Sequence, residues 1–290
     1  MFVYQANSLS FGPYLSPNNE SDHCILLLIT ASYSTWTLKD VQPVTKRTIT
    51  LNCDMGESFG AWQMGADELV MPWIDMANIA CGFHASDPHV MSRTIELAIQ
   101  FDVMIGAHPG YPDLQGFGRR SMSFSEEEIC ELLIYQIGAL KALCESKNAE
   151  ISYVKPHGAL YNDMMRDKSV FRAVVDAVSC FNVPLMILAS GNNQDYLDIA
   201  DAYDVPLLFE AFADRTYLAN GMLTPRGQAN AVLTNEEAII NQIKQLVDYG
   251  KVTSSDGFVI PIEADTICVH GDNPTAIELI EKIRICLRER

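Results

Sequence analysis

The sequence predicts an α/β barrel. Three observations carry this. Seven short apolar runs between Thr48 and His270 alternate with helical patterns, no internal repeat or low-complexity linker divides them, and the chemistry-bearing polar residues fall at the carboxyl ends of the runs. Apolar runs bounded by turn residues read as parallel strands buried on both faces, and strand-helix alternation builds a parallel sheet. An open, doubly wound sheet is the structural alternative. Polar residues gathered at one end of every strand favour the barrel, whose active site lies on that face.

The chain, taken in order, opens with 46 residues of different character, an N-terminal extension ahead of a barrel domain at 47–290. Turn formers Pro13, Pro17, Asn18 and Asn19 surround one apolar run, Cys24 to Ile29, far too short to span a bilayer. No Lys or Arg precedes that run, which argues against a secretory signal. An extra surface strand and a mobile extension both remain open for this stretch.

The candidate strands are Thr48 to Cys53, Met76 to Cys81, Val103 to Ala107, Ile151 to Lys155, Pro184 to Ala189, Pro206 to Ala211 and Thr266 to His270. Two helices between them have readable starts. Ser125-Glu-Glu-Glu128 and Thr234-Asn-Glu-Glu237 match the capping box, in which the hydroxyl and the third-residue carboxylate satisfy backbone donors. After the first box, Ile129, Leu132, Leu133, Ile137, Leu140 and Cys144 form an apolar helical stripe that should face the sheet.

Composition limits function. With 48% hydrophobic and 20% charged residues, 290 residues can bury a full globular core. A net charge of −17 argues against general affinity for nucleic acid or anionic membrane, so any positive potential must be local. The eight cysteines include no C-x-x-C pair, which suggests reduced thiols in the cytoplasm. Cys53 and Cys81 read as small buried residues, not nucleophiles.

The densest functional signal is Gly106 to Arg120, which packs one His, one Asp, two Arg, two Pro and four Gly into fifteen residues behind a strand. Glycines admit a ligand close to backbone, and guanidiniums offer fixed forks to a carboxylate or phosphate. Arg119 and Arg120 are adjacent, so one of them should point inward. Other strand ends supply Asn52, Asp54 and Glu57; Asn78, His84 and Asp87; Lys155, His157, Tyr161 and Asn162; Ser190 and Asn192; Glu210, Asp214, Arg215 and Tyr217; and His270, Asp272 and Asn273. Asp54 and Glu57 suit a general base and its partner, or a helix cap. Lys155 and His157 read as charge stabiliser and proton carrier, with a strand-end ion pair as the plainer alternative. Asp214 and Arg215 also fit a simple mutual pair.

The segments LNCDMGESFGAW, ANIACGFHASDP, IGAHPGYPDLQGFGRR, VKPHGALYN, AFADRTY and VHGDNP closely resemble, in this order, the signature segments of the LamB/YcsF family. The resemblance runs from about Thr48 to the C-terminus. Two departures stand out: Thr50 where the family usually has Asp, and Ser86 where it usually has Gly. The resemblance implies a TIM-like (β/α)7 barrel of the glycoside hydrolase/deacetylase type and ATP-dependent hydrolysis of the lactam 5-oxo-L-proline to L-glutamate. It also implies B and C partner subunits, with a homo-oligomer as a further option.

On this reading Asp54, His84, His108, Lys155 and His157 are catalytic. Asn52, Glu57, Asn78, Arg119, Arg120, Tyr161, Glu210, Asp214, Arg215 and His270 bind substrate. ATP, with magnesium as its companion, is the expected cofactor, yet no G-x-x-x-x-G-K-[ST] loop occurs, so the nucleotide is expected largely on partners. No metal ligand set is assigned. A metal-dependent deacetylase using Asp54, His84, Asp87 and His108 is an alternative, though His84 and His89 are five apart and form no H-x-x-x-H pair. A noncatalytic substrate-binding role is the other.

Overall fold

A computed structural model of the protein describes residues 49–191, 193–269 and 274–288. The N-terminal 46 residues, Thr48, Asn192, His270, Asp272 and Asn273 lie outside the described residues. The strands are β1 (Thr50–Met55), β2 (Met76–Ala80), β3 (Met104–His108), β4 (Tyr153–Val154), β5 (Leu185–Leu188), β6 (Leu207–Phe212), β7 (Lys251–Thr253), β8 (Val259–Pro261) and β9 (Thr266–Val269). Strands β1 to β6 and β9 form a closed barrel of parallel neighbours, in which β9 pairs with both β6 and β1. The seven runs expected from the sequence are these seven strands. The antiparallel pair β7 and β8 is an addition inserted before the last barrel strand.

Helices surround the barrel: α1 (Asp67–Val70) with a 3-10 turn at Met71–Trp73, α2 (Pro88–Gln100), α3 (Glu126–Glu145), α4 (Gly158–Met164), α5 (Lys168–Ser179), α6 (Gln194–Asp201), α7 (Glu236–Tyr249) and α8 (Pro274–Arg288). Both halves of the Ser125–Glu128 capping box form. The second start is shifted by one residue: the cap of α7 is Asn235, not Thr234, and its side chain accepts from the Ala238 amide at 3.0 Å. Asn caps better than Thr, and the shift leaves Glu236 and Glu237 in the first turn, where the helix dipole favours them. On α3, Ile129, Leu133, Ile137, Leu140 and Cys144 are buried. Each large aliphatic on that stripe contributes about 1.5–3 kcal/mol by leaving water.

The period of two in β1 sorts its residues between two environments. Leu51, Cys53 and Met55 join the apolar layer between sheet and helices. Asn52 and Asp54 face the barrel interior, where Asn52 Nδ2 donates to Thr266 Oγ1 at 3.0 Å. The interior is layered. Met76, Tyr153 and Met186 form a small apolar plug of their own, with Leu208 against it. Above it, Asn78 Nδ2 donates to Asn52 Oδ1 at 2.8 Å, and the Tyr153 hydroxyl donates to Asn78 Oδ1 at 2.6 Å. Gly106 makes room for that tyrosine, because a Cβ there would lie 2.1 Å from the ring. Among the described residues, no helix is long and apolar enough to cross a membrane.

Ser86, one of the two departures from the family pattern, is fully buried with φ at 74°. A side chain in the left-handed region costs about 1–2 kcal/mol that glycine avoids. Ser86→Gly should therefore stabilise the protein by about 1 kcal/mol, raising the thermal midpoint by about 2–4 °C. A calorimetric midpoint that stays put or falls would mean that the serine contacts offset the strain.

Candidate active site

The carboxyl ends of the barrel strands open on a cavity of about 700 Å³. At its floor is the Lys155 ammonium, only 3% exposed, delivered by the residue after β4. It lies 2.7 Å from Glu210 Oε1 on β6 and 3.0 Å from Asp54 Oδ1 on β1, and it also donates to Asn52 Oδ1 at 3.2 Å. Burial alone would lower the affinity of this amine for its proton, but Asp54 and Glu210 outweigh that and hold it well above the ordinary lysine value. Each carboxylate has further partners: Asn78 Nδ2 donates to Asp54 Oδ1 at 2.8 Å, and the Tyr161 hydroxyl to Glu210 Oε2 at 2.9 Å. Neither Asp54 nor Glu57 caps a helix, since the following helix is capped at Ala66.

Three imidazoles stand beside this ion cluster. A carbonyl only accepts, so His108 carries its Nδ1 proton against the Lys155 carbonyl at 2.6 Å, and His157 carries its Nε2 proton against the Phe117 carbonyl at 2.9 Å. The remaining nitrogens, His108 Nε2 and His157 Nδ1, face each other at 2.9 Å. His108 Nε2 is also 3.4 Å from Asp54 Oδ2. His84 stacks on His157 with ring centres 3.7 Å apart and planes 2° from parallel. Burial, followed by the neighbouring imidazoles, pushes His84 and His157 well below the usual histidine value. Glu57 Oε1 is 3.8 Å from both His84 Nε2 and His157 Nδ1.

The Gly106 to Arg120 stretch holds these rings through its own fixed path. Gln136, a polar residue on the buried face of α3, receives the Gly110 amide at 2.9 Å and donates to the Gly110 carbonyl at 3.0 Å. The Ala159 amide donates to the Gly118 carbonyl at 2.8 Å, tying the loop to the start of α4. The two arginines diverge. Arg120 is bound to Asp113 and carries its charge away from the cavity, whereas Arg119 lines the cavity with its guanidinium 4.9 Å from the Phe117 ring centre.

The expected substrate-binding residues thus occupy different levels. Glu57, Arg119, Tyr161 and Arg215 line the cavity, as do Arg166 and Arg226, which the sequence alone does not single out. Asn52, Asn78 and Glu210 are fully buried beneath it. Arg215 donates to the carbonyls of Thr224 and Ala231 at 2.6 and 3.2 Å, and Asp214 beside it is not part of the lining. His270 lies outside the described residues. Asp87 caps α2, accepting from His89 and Val90, and so is turned to structure instead of an ion. Among the described residues, Glu57, His84, His108 and His157 form a group that could hold a metal ion. Burial pushes the thiols of Cys53, Cys81 and Cys268 up, which keeps them protonated and unreactive. Tyr153 also belongs to the site without having stood out in the sequence, although it lies two residues before Lys155 and so shares its inward face.

Removing the cation of a buried ion cluster leaves uncompensated carboxylates. Lys155→Met should cost about 3–5 kcal/mol of unfolding free energy in a urea titration. Adding Glu210→Gln should restore part of that loss. Equal instability of the single and double variants would show that lost packing, not buried charge, is responsible.

The comparisons with known proteins agree with this architecture. The LamB/YcsF family model matches residues 49–290. Over 246 residues the chain is 78% identical to the 5-oxoprolinase A subunit of Vibrio cholerae serotype O1, covering 85% of this chain and 100% of that protein. It is 51% identical over 245 residues to a 5-oxoprolinase A subunit of Pseudomonas aeruginosa, covering 84% and 98%. A crystal structure of a lactam utilization protein from Thermus thermophilus superposes with a TM-score of 0.77 at 38% identity, covering 83% of this chain and 96% of that one. The chain belongs to the LamB/YcsF family.

Proposed function

We propose that this chain is the A subunit of a cytoplasmic 5-oxoprolinase. It binds 5-oxo-L-proline in the barrel cavity and opens the lactam to L-glutamate, within an ATP-dependent assembly that includes B and C subunits. The observation that carries this reading is the 78% identity extending over the whole of the Vibrio relative. On the same reading the barrel is of the glycoside hydrolase/deacetylase type.

The residues divide the work. Arg119 at the cavity wall receives the substrate carboxylate. Asp54, whose Oδ1 is engaged by Lys155 and Asn78, uses Oδ2 to take a proton from the attacking water. Lys155 holds that carboxylate in place through Oδ1 and offsets negative charge as it develops on the lactam oxygen. Asp54 then hands that proton to the leaving amide nitrogen, while His108 and His157, whose facing nitrogens carry lone pairs, orient the attacking water. ATP, with magnesium, would supply the driving force by giving its terminal phosphoryl group to the lactam oxygen with loss of ADP, and inorganic phosphate would leave once water has added to the activated carbon. Arg166, Arg215 and Arg226 have the chemistry to hold its phosphates at the mouth.

Reconstituted with candidate B and C subunits, the chain should convert labelled 5-oxoproline to glutamate only when ATP is present. Asp54→Asn and His157→Ala should each lower that rate by about 10²–10⁴-fold with the fold retained by circular dichroism. A full-rate Asp54→Asn variant would remove Asp54 from proton transfer. For binding, Arg119→Ala should raise KM for 5-oxoproline by about tenfold or more, because a charge-assisted hydrogen bond is lost. Arg120→Ala should leave KM unchanged, and equal effects of the two would refute the division between them.

A further inference from the structure

Above the Lys155 cluster, one ligand atom from each of Glu57, His84, His108 and His157 lies within 4.8 Å of the others. The carbonyls of Lys155 and Phe117 fix the tautomers of His108 and His157, so that each turns a lone pair toward the other across 2.9 Å. Two lone pairs at that distance repel unless a proton or a metal cation lies between or beside them. A proton resolves that pair alone. It does nothing for His84, which is 0% exposed and has no hydrogen-bond partner among the described residues at either Nδ1 or Nε2. Buried polar atoms are seldom left in that state. A cation serves all three rings at once.

The geometry points to a site for a divalent transition metal of the zinc class, held by His84 Nε2, His108 Nε2, His157 Nδ1 and Glu57 Oε1. The donor set favours zinc and its first-row neighbours, since magnesium and calcium take oxygen ligands. An ion about 2.0–2.2 Å from each ligand in a tetrahedron sets those ligands roughly 3.3–3.6 Å apart. Three of the six separations, 2.9 Å for His108–His157 and 3.8 Å for His157–Glu57 and His84–Glu57, bracket that spacing, and all four atoms lie within 4.8 Å of one another. The carbonyls that orient His108 and His157 act as outer hydrogen-bond partners do in metal sites.

One adjustment is required. Imidazole lone pairs lie in the ring plane, and the His84 and His157 rings are parallel, so an ion must tilt His84 off its neighbour. Gly110 and Gly118 approach His84 so closely that a Cβ on either would come within 2.8 and 2.7 Å of its atoms, so any larger residue there would displace the ring.

Metal binding is read on the full, isolated chain, without substrate, ATP or partner subunits, so its outcome is independent of the lactam reading. After chelator treatment, titration with Co²⁺ should show one bound ion per chain with visible d–d absorption, displaced by Zn²⁺. His84→Asn and Glu57→Gln should each weaken Co²⁺ binding by at least about tenfold. A folded chain that gives no Co²⁺ band and retains no Zn²⁺ at micromolar free metal overturns the site, as does equal affinity in wild type and both variants. If the variants unfold, nitrogen-15 spectra of the wild-type imidazoles decide. Shifts on Zn²⁺ addition at His84, His108 and His157 uphold the site, and their absence rejects it.

Discussion

The Lys155 ammonium, 2.7 Å from Glu210 and 3.0 Å from Asp54, is the centre on which the described site depends. Without the amine, Glu210 would be an uncompensated buried charge and Asp54, at the cavity floor, would be only partly solvated. Together with the amine they leave one net negative charge, spread over donors from Asn78 and Tyr161. The strands that carry these groups, β1, β2, β4 and β6, are thereby tied through their side chains as well as through the sheet. The backbone contributes as well. The Lys155 carbonyl orients His108, so a single residue sets both the charge of the floor and the tautomer of the ring beside it.

That coupling explains the form of the Gly106 to Arg120 loop. Phe117 supplies the second orienting carbonyl and holds φ at 56° to do so, a strained conformation for an aromatic residue. Gln136 pins the loop at Gly110 from the helical layer, and Asp113 pins its far end through the Gly116 amide and Arg120. Arg120 is therefore a strut. Its neighbour Arg119 extends to the cavity because adjacent residues on this turn diverge.

How far the sequence could be read follows from the range of the interactions involved. Apolar runs and the positions of polar residues at their ends are local, and they located all seven barrel strands together with Asp54, His108, Lys155 and His157 at the site. The Ser125 capping box was legible for the same reason. What escaped depended on lateral register. Gln136 reaches Gly110, and Glu57 meets His84 and His157, only once the strands are side by side, whereas Asp87 followed by Pro88 at the first helical position is a local cap signal. Some residues that escaped did carry a signal. Tyr153 shares the parity of Lys155, and Gln136 interrupts an apolar stripe between Leu133 and Ile137.

The charge distribution adds a constraint on any anionic ligand. The chain carries a net charge of −17, which repels carboxylates and phosphates at long range. At physiological ionic strength that repulsion is screened beyond about 8 Å. Arg119, Arg166, Arg215 and Arg226 around the cavity act within that distance. Attraction of an anion is consequently a property of the mouth alone, and it falls away within a few residues of it. A ligand of the proposed kind gains nothing from the rest of the surface, so discrimination among anions rests on how these guanidiniums are held. Arg215 is held by carbonyl groups of its own loop, and Arg119 lies beside the Phe117 ring, the same residue that orients His157. Anion capture and the disposition of the imidazoles therefore share one loop, and a displacement of Phe117 would disturb both together.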